Sequence, residues 1–73
     1  MSEHLYEIEK NGSELIRFSI REFKGHCFAD IRLHFEDSEG TWRPTKKGIT
    51  VPIKLLPNLV EGVKKLQEAA RDE

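Results

Sequence analysis

Aromatic and basic side chains recur together at two places in the middle of the chain. One cluster holds Phe23, Lys24 and His26, and the other holds Trp42, Arg43, Lys46 and Lys47. Cations of this kind follow the phosphates of a polynucleotide, while aromatic rings stack on unpaired bases at ~1–3 kcal/mol each. The residue types therefore favour binding of a single-stranded nucleic acid. A lone ring beside one cation is more often ordinary surface, so the hypothesis requires both clusters to share one surface.

Two strand-like runs must position the first cluster. They span Glu14–Phe23 and His26–Phe35, and Lys24-Gly25 joins them in a tight turn. Because successive side chains of a strand alternate between its faces, the first run separates Ile16, Phe18 and Ile20 from Arg17, Ser19, Arg21 and Phe23. The second run separates Cys27, Ala29, Ile31 and Leu33 from His26, Phe28, Asp30, Arg32 and His34. We expect the apolar face to be core and the other face, with arginines beside aromatics, to stay open.

Two further strands complete the expected sheet. Leu5–Lys10 alternates, and Asn11-Gly12 after it predicts a type I′ turn into the next strand. Thr41–Val51 forms the last strand, and Pro44, which cannot donate to a ladder, places that strand at an edge. Met1–His4 is expected to be a frayed terminus. The sequence thus predicts an α+β fold with a four-stranded antiparallel sheet followed by one C-terminal amphipathic helix.

The helix is predicted from a change in the spacing of apolar residues after Pro52. They recur three or four positions apart, at Leu56, Leu59, Val63, Leu66 and Ala70. Pro57 is tolerated only in a first turn, so the helix begins near Leu56, or a short turn at Ile53–Leu55 precedes it. One helix covers only part of such a sheet. We therefore expect a helix-mediated homodimer with Leu56, Leu59, Val63 and Leu66 at its interface.

Size and charge are consistent with a single binding domain spanning residues 1–73. A chain of 73 residues buries only about 60 % of the surface that its unfolded form exposes, which favours association. The net charge of −1 hides a segregation, because residues 1–14 hold four acids and one lysine while residues 17–54 hold eight Lys/Arg and five acids. A basic middle of this kind suits a polyanion.

The sequence argues against an enzyme, a metalloprotein and a membrane protein. Adjacent strand residues point to opposite faces, so Cys27 is predicted to be a buried, inert thiol and not a nucleophile paired with His26 or His34. Neither a Cys-x-x-Cys pair nor a glycine-rich phosphate loop is present, so we expect no cofactor and no metal. Without a leader or an apolar run near the roughly 20 residues that cross a bilayer, the protein is predicted to be cytoplasmic and nucleoid-associated.

Three candidate site residues have a second interpretation. Alternation places Phe35 on the core side with Leu33, so a bulge or a strong twist is needed to turn its ring outward. Arg21 and Arg32 face the open side, where they either contact nucleic acid or form in-sheet ion pairs with Asp30 or Glu22.

Several blocks of residues together resemble a known family. They are Phe18–Gly25, Asp30-Ile31-Arg32, Glu39-Gly40, Arg43-Pro44 and Lys46–Thr50, within a likeness that extends from about Tyr6 to Leu66. The chain resembles the single-strand-binding domain of the positive cofactor four family of transcriptional coactivators, in its stand-alone prokaryotic form. The resemblance implies a helix-paired dimer with single-stranded DNA across the sheets, contacted at Arg21, Phe23, Lys24, His26, Arg32, Phe35, Arg43, Lys46 and Lys47. His26 replaces an expected lysine and Phe35 an expected tryptophan, while Trp42 offers an additional ring.

We therefore expect a homodimeric, sequence-tolerant single-stranded DNA-binding protein that acts in transcription or in replication and repair. RNA, unpaired duplex and RNA polymerase are further expected partners. The alternative is a protein-interaction module of the transcription machinery, whose aromatic and basic face receives an acidic partner segment.

Overall fold

Four antiparallel strands, arranged in the order of the chain, are followed by a single helix. The computed structural model describes residues 4–71, so most of the predicted frayed end, Met1–His4, lies outside the described residues. The elements are β1 (His4–Asn11), β2 (Glu14–Phe23), β3 (His26–Glu36), β4 (Trp42–Pro52) and α1 (Leu56–Ala69). The sheet order β1-β2-β3-β4 leaves β4 at an edge, as Pro44 predicts. This architecture confirms the predicted α+β fold.

The two hairpin turns are closed in different ways. Lys24 and Gly25 have φ angles of +53° and +81°, and two consecutive positive values are the mark of a type I′ turn. The prediction of a type I′ turn at Asn11-Gly12 is wrong, because neither of these residues has a positive φ. Instead, Asn11 Oδ1 accepts hydrogen bonds from the backbone N–H and the hydroxyl of Ser13, at 3.0 and 3.3 Å. The Asn11 side chain thus closes a turn at Gly12-Ser13.

The pairing register divides the side chains between an apolar face and a polar face. On the apolar face, Ile16, Phe18 and Ile20 of β2 lie opposite Leu33, Ile31 and Ala29 of β3. The neighbouring strands continue this face with Tyr6, Ile8, Ile49 and Val51. The polar face carries Arg17, Ser19, Arg21 and Phe23 beside Phe28, Asp30, Arg32 and His34. The predicted separation of the two faces is therefore present.

Few apolar side chains of residues 4–71 are fully covered. Those that are buried are Leu15, Ala29 and Leu33, whereas Ile20 and Ile49 on the apolar face are 40 % and 47 % exposed. The predicted core face is thus only partly covered by its own chain. Leu15 lies on the polar face, a buried position that alternation alone does not indicate.

The prediction that Cys27 is a buried thiol is wrong. Cys27 is exposed. It lies at the second position of β3, toward the end of the hairpin and beyond Ala29, the last buried residue of the apolar face in that direction. Burial at this point depends on what covers the apolar face and not on alternation within the strand.

The helix packs only partly against the sheet of its own chain. A 3-10 turn at Ile53–Leu55 precedes α1, which begins at Leu56 with Pro57 in its first turn. The predicted helix start and the predicted short turn are therefore both present. Within α1, Leu56 and Leu59 are half-buried, while Val63 and Leu66 are 55 % and 71 % exposed. Most of the apolar stripe of α1 therefore faces away from the sheet. Among residues 4–71, no helix is both long enough and apolar enough to span a membrane.

Candidate nucleic-acid interface

The turn between β2 and β3 carries the first cluster at one end of the sheet. Phe23 ends β2 opposite His26, and its side chain is 64 % exposed. Lys24 Nζ lies 5.4 Å from the centroid of the Phe23 ring, which is a cation–π distance. Because the type I′ turn is tight, the ring and the ammonium group project from the sheet side by side. This arrangement can stack on an unpaired base and contact its phosphate together.

Arg32, another predicted contact, is held within the sheet. Its Nε and Nη2 donate to the Asp30 carboxylate at 3.0 to 3.3 Å, and its Nη1 donates to the Thr45 carbonyl oxygen at 2.9 Å. Asp30 is only 4 % exposed, so this pair is shielded from water. The in-sheet ion pair is therefore the interpretation of Arg32 that the structure contains. Only the guanidinium N–H groups that these bonds leave unused remain available to another partner.

Arg21 is less restrained than Arg32. Its Nη1 lies 3.8 Å from Asp30 Oδ2, so the predicted in-sheet ion pair with Asp30 is present, but the distance is too long for a hydrogen bond and the side chain is 49 % exposed. Arg21 can thus turn toward a phosphate without losing a hydrogen bond to residues 4–71.

A bulge in β4 presents the lysines of the second cluster. Arg32 pairs with Gly48 and His34 pairs with Pro44, so Leu33 faces three residues, Thr45–Lys47. Thr45 Oγ1 donates to the Leu33 carbonyl oxygen at 2.8 Å and accepts from the backbone N–H of Lys47 at 3.0 Å. These two bonds fix the bulge, and the side chains of Lys46 and Lys47 remain exposed.

Gly48 gives the Arg32 side chain room to cross β4. A Cβ atom at position 48 would lie 2.7 Å from the Ile31 carbonyl oxygen and 3.0 Å from both Cα and Cζ of Arg32. The Arg32 guanidinium therefore passes over this glycine to reach the Thr45 carbonyl oxygen in the bulge. In the run Lys46-Lys47-Gly48, two exposed lysines thus precede the glycine that leaves room for Arg32. The hydrogen bond from Arg32 to Thr45 then connects the bulge to β3.

Phe35 lies on the other side of the sheet from Phe23. It pairs with Glu14 and with Arg43, on the face of Leu33, as alternation predicts. The bulge that the sequence requires to reorient Phe35 is present in β4 and not in β3. Its ring is nevertheless 40 % exposed, because it lies near the end of the strand. Trp42, next to Arg43, is half-buried.

The two clusters occupy opposite ends of β3. Nine positions separate His26 from Phe35, which is about 30 Å at the ~3.3 Å rise per residue of a strand. A stacked single strand at ~3.4 Å per nucleotide spans this distance with about nine nucleotides, and a more extended strand needs fewer. The structure thus groups Arg21, Phe23, Lys24 and His26 at one end and Phe35, Trp42, Arg43, Lys46 and Lys47 at the other, with Arg32 between them. Phe35 and its partner Arg43 lie on the apolar face, so the two clusters do not share one face of the sheet throughout.

An acidic border limits the basic surface on the side of β1. Arg17 Nε donates to Glu7 Oε1 at 3.1 Å, so this arginine is already paired. Glu9 lies opposite Leu15, one step further along β1. Carboxylates repel phosphates, so a polyanion is directed away from β1, toward β3 and β4.

Asp37 organises the loop between β3 and β4 and holds Arg43. The hydrogen bond from Arg43 Nε, together with those from the backbone N–H groups of Thr41 and Glu39, lowers the pKa of the Asp37 carboxyl below its ordinary value of 3.8. A pKa that is lower in the folded chain means that the carboxylate stabilises the fold fully above about pH 4. That contribution is lost as the pH falls through the folded-state value.

We expect Asp37→Asn to lower the melting temperature at neutral pH and to flatten its acid dependence. As the pH falls below about 4, the wild-type melting temperature should fall more steeply than that of the variant, because the variant has no carboxyl to protonate at this position. Thermal unfolding followed by circular dichroism measures both curves. Glu39→Gln is the matched control, since only the backbone of Glu39 bonds to Asp37. Parallel curves for wild type and Asp37→Asn would contradict the assignment.

The polar face also contains a concavity that the sequence does not predict. It has a volume of about 460 Å³ and is lined by Arg21, Phe23, Phe28, Asp30, Arg32 and Thr50, with Glu22 also at the site. Phe28 and Thr50 are not among the predicted contacts. Strand alternation, which places Phe28 on the same face as Arg32, was the feature of the sequence that could have identified Phe28 as a site residue.

The fold and this surface define a small antiparallel-sheet domain whose uncovered polar face carries an exposed ring, that of Phe23, beside cations, as nucleic-acid-binding sheets do. Residues 10–62 match the sequence profile of the family described as Transcriptional Coactivator p15 (PC4). The chain belongs to this family, which confirms the family predicted from the resemblance. Membership supports a DNA-binding role of the PC4 type.

Solved structures of two relatives have the same fold. BPSL1147, a PC4 homolog from Burkholderia pseudomallei K96243, matches in its orthorhombic crystal form with a TM-score of 0.85 and 27 % identity, over 90 % of this chain and 89 % of that one. Its tetragonal form matches with a TM-score of 0.87 and 27 % identity, over 92 % and 98 %. The bacteriophage T5 homolog of the eukaryotic transcription coactivator PC4, implicated in recombination-dependent DNA replication, matches with a TM-score of 0.71 and 25 % identity, over 97 % and 80 %.

Proposed function

We propose that this protein binds single-stranded nucleic acid with little sequence preference, as a homodimer, in transcription or in DNA replication and repair. The observation that carries the proposal is the Phe23 ring, which is 64 % exposed at the end of a hairpin with Lys24 Nζ 5.4 Å from its centroid. A ring in this position contributes little to the core of its own chain. It is suited to stacking on a flat partner, such as an unpaired base whose phosphate pairs with the lysine.

Binding in this proposal combines phosphate contacts with base stacking. Arg21, Lys24, Lys46 and Lys47 neutralise phosphates and release counterions, together with the Nη groups of Arg43, whose Nε is bonded to Asp37; this contribution does not depend on sequence. The rings of Phe23, Phe35 and Trp42 stack on bases, and every base has a π face. His26 and the unused N–H groups of Arg32 add polar contacts between the two clusters.

The relatives suggest the processes in which such binding is used. The family description names a transcriptional coactivator, and the phage T5 homolog is implicated in recombination-dependent DNA replication. Both processes expose single strands, and we propose that this protein acts in one of them. In transcription, RNA polymerase or another protein of that machinery is the expected partner.

Titration of labelled oligo-dT at several salt concentrations tests the binding proposal. With five cations on phosphates, log affinity should fall linearly with log salt at a slope of roughly −3.5, about 0.7 per contact for a single strand. The double variant Lys46→Gln/Lys47→Gln should reduce the slope by about 1.4, because two phosphate contacts are lost. Lys64→Gln/Lys65→Gln, which removes the same charge from α1, is the matched control and should leave the slope unchanged.

Two results of that titration would contradict the proposal. One is the absence of oligo-dT binding in dilute buffer, where phosphate contacts are strongest. The other is tighter binding of an acidic peptide than of oligo-dT, which would favour the protein-interaction module. An oligo-U arm of the same experiment measures the preference for DNA over RNA.

The dimer is proposed because too much apolar surface is left uncovered by one chain. On the apolar face, Tyr6 and Ile8 are 65 % and 44 % exposed, and Val63 and Leu66 of α1 are 55 % and 71 % exposed. Soluble monomers rarely expose contiguous apolar patches of this kind. A second copy, packed through Leu56, Leu59, Val63 and Leu66, would cover the helix stripe by a self-complementary contact.

Val63→Asp is expected to convert the proposed dimer to a monomer. A carboxylate within an apolar interface has no partner there, so the dimer affinity should fall by at least about a hundredfold. Sedimentation velocity of wild type and variant at matched concentrations measures the change. Lys65→Asp, on the polar side of α1, should remain a dimer. A wild-type protein that sediments as a monomer would contradict the proposed homodimer.

A further inference from the structure

The concavity on the polar face is an open depression whose lining brings an aromatic ring, a carboxylate and a guanidinium together. At about 460 Å³ it falls within the size range of small-molecule clefts, roughly 300 to 1,000 Å³. It lies beside Phe23, on the path between the two clusters. Its lining combines an aromatic ring, Phe28, with a buried carboxylate, Asp30, and an exposed arginine, Arg21, that is ion-paired with Asp30 without a hydrogen bond.

The Asp30 carboxylate has hydrogen-bonding capacity left on the side of Arg21. Arg32 donates two bonds to Oδ1, at 3.2 and 3.0 Å, and one to Oδ2, at 3.3 Å. Arg21 Nη1 is the nearest further donor to Oδ2, and at 3.8 Å it is too far for a hydrogen bond. A carboxylate offers about four acceptor positions, so Oδ2 has a position left, but Asp30 is only 4 % exposed. An N–H donor in the concavity therefore reaches Oδ2 when the Arg21 side chain, which makes no hydrogen bond within residues 4–71, turns aside.

Phe28 supplies a wall for a flat ligand. It lies opposite Arg21 in the β2–β3 ladder, two pairs away from Phe23 and His26, and is half-buried. Residues that are diagonal neighbours on one face of an antiparallel pair lie roughly 7–8 Å apart, within reach of aromatic side chains. Phe23 and Phe28 thus flank the same opening, with the exposed ring outside and the half-buried ring inside.

We propose that this concavity receives one base of the bound strand, with its ring against Phe28 and its Watson–Crick edge toward Asp30 Oδ2 and the Arg21 guanidinium. Each base carries an N–H donor beside an acceptor on that edge, so a carboxylate next to a guanidinium accepts any of them. A base in a duplex has the same edge occupied by its partner. The pocket therefore selects single strands over duplex, which the cations alone do not, and this inference rests on the proposed function.

A methylated oligonucleotide tests the pocket without changing the protein. Wild-type protein is titrated with oligo-dT and with the same strand made of N3-methylthymidine, which keeps the phosphates and the π faces but lacks the N–H on the Watson–Crick edge. The methylated strand should bind at least about tenfold more weakly, the loss expected for a hydrogen bond to a charged group. Its salt slope should match that of oligo-dT, since the phosphate contacts are the same.

Phe28→Leu provides an independent measurement. It keeps an apolar side chain in a half-buried place, so folding should persist, but it removes the ring face. The preference for oligo-dT over a duplex of equal length should fall by about five- to tenfold. Tyr6→Leu, which also replaces an aromatic ring by leucine but on the apolar face, should keep the wild-type preference for oligo-dT over duplex.

The outcomes separate the pocket from the proposed function. Binding of oligo-dT by wild type with no effect of the methyl group, or an unchanged single-strand preference in Phe28→Leu, overturns the pocket alone. A wild-type protein that binds neither strand overturns the proposed function and the pocket with it.

Discussion

Phe23→Ala is expected to weaken binding to oligo-dT by about five- to a hundredfold, the range that corresponds to loss of one stacked base. The melting temperature should stay within about 2 °C of wild type, because a ring that is 64 % exposed buries little apolar surface. Fluorescence anisotropy at fixed moderate salt measures the affinity, and circular dichroism measures the melting temperature.

The role of the ring can be separated from that of its neighbouring charge. Phe23→Trp keeps a stacking surface and should restore binding, whereas Phe23→Leu keeps apolar bulk and should not. The salt slope of Phe23→Ala should equal that of wild type, because Lys24 is still present to contact a phosphate. Undiminished affinity in Phe23→Ala would remove Phe23 from the site.

Gly48→Ala is expected to be the most destabilising single-methyl change on the sheet. The new Cβ would lie 2.7 Å from the Ile31 carbonyl oxygen, and backbone atoms of a paired strand cannot move aside easily. Overpacking of this kind costs typically about 1–3 kcal/mol. For a domain of this size the melting temperature should fall by roughly 5–20 °C. Binding to oligo-dT should weaken as well, because the Arg32 side chain passes over position 48 to donate its hydrogen bond to Thr45 in the bulge.

Gly12→Ala is the matched control for that change. A Cβ atom at Gly12 meets nothing within 4 Å, and Gly12 does not have a positive φ. Its melting temperature should therefore equal or slightly exceed that of wild type, because alanine restricts the unfolded chain. Equal melting temperatures for the two alanine variants would show that β4 can shift to accommodate a side chain at position 48.

The sequence was sufficient where neighbouring residues determine the structure. Lys24-Gly25 forms the tight turn that its position between two alternating strands indicates, and Pro44 lies in an edge strand. Asn11-Gly12 shows the limit of turn chemistry, because the same asparagine that favours positive φ also closes an Asx turn with its side chain. Which of these forms depends on the register of the two strands, and that register is not determined by the dipeptide.

The sequence was insufficient where burial depends on distant contacts. Strand alternation places Cys27 with the core residues, but it lies beyond the covered part of the apolar face. Conversely, Leu15 is buried on the face that alternation predicts to be open. For the site, composition identified Arg32 but did not decide between nucleic acid and Asp30. The pairing of Arg32 with Asp30 is seen only once the β4 bulge is known, because the Thr45 carbonyl oxygen in the bulge accepts a hydrogen bond from Arg32 Nη1.

The β4 bulge also has a consequence for self-association. An uninterrupted outer strand offers a row of free N–H and C=O groups on which further copies can pair without limit, as in fibrils. In β4 the proline at position 44 lacks a donor, and the Thr45–Lys47 segment is out of register and doubly charged. Further copies of the chain therefore find no regular template for strand addition at this edge.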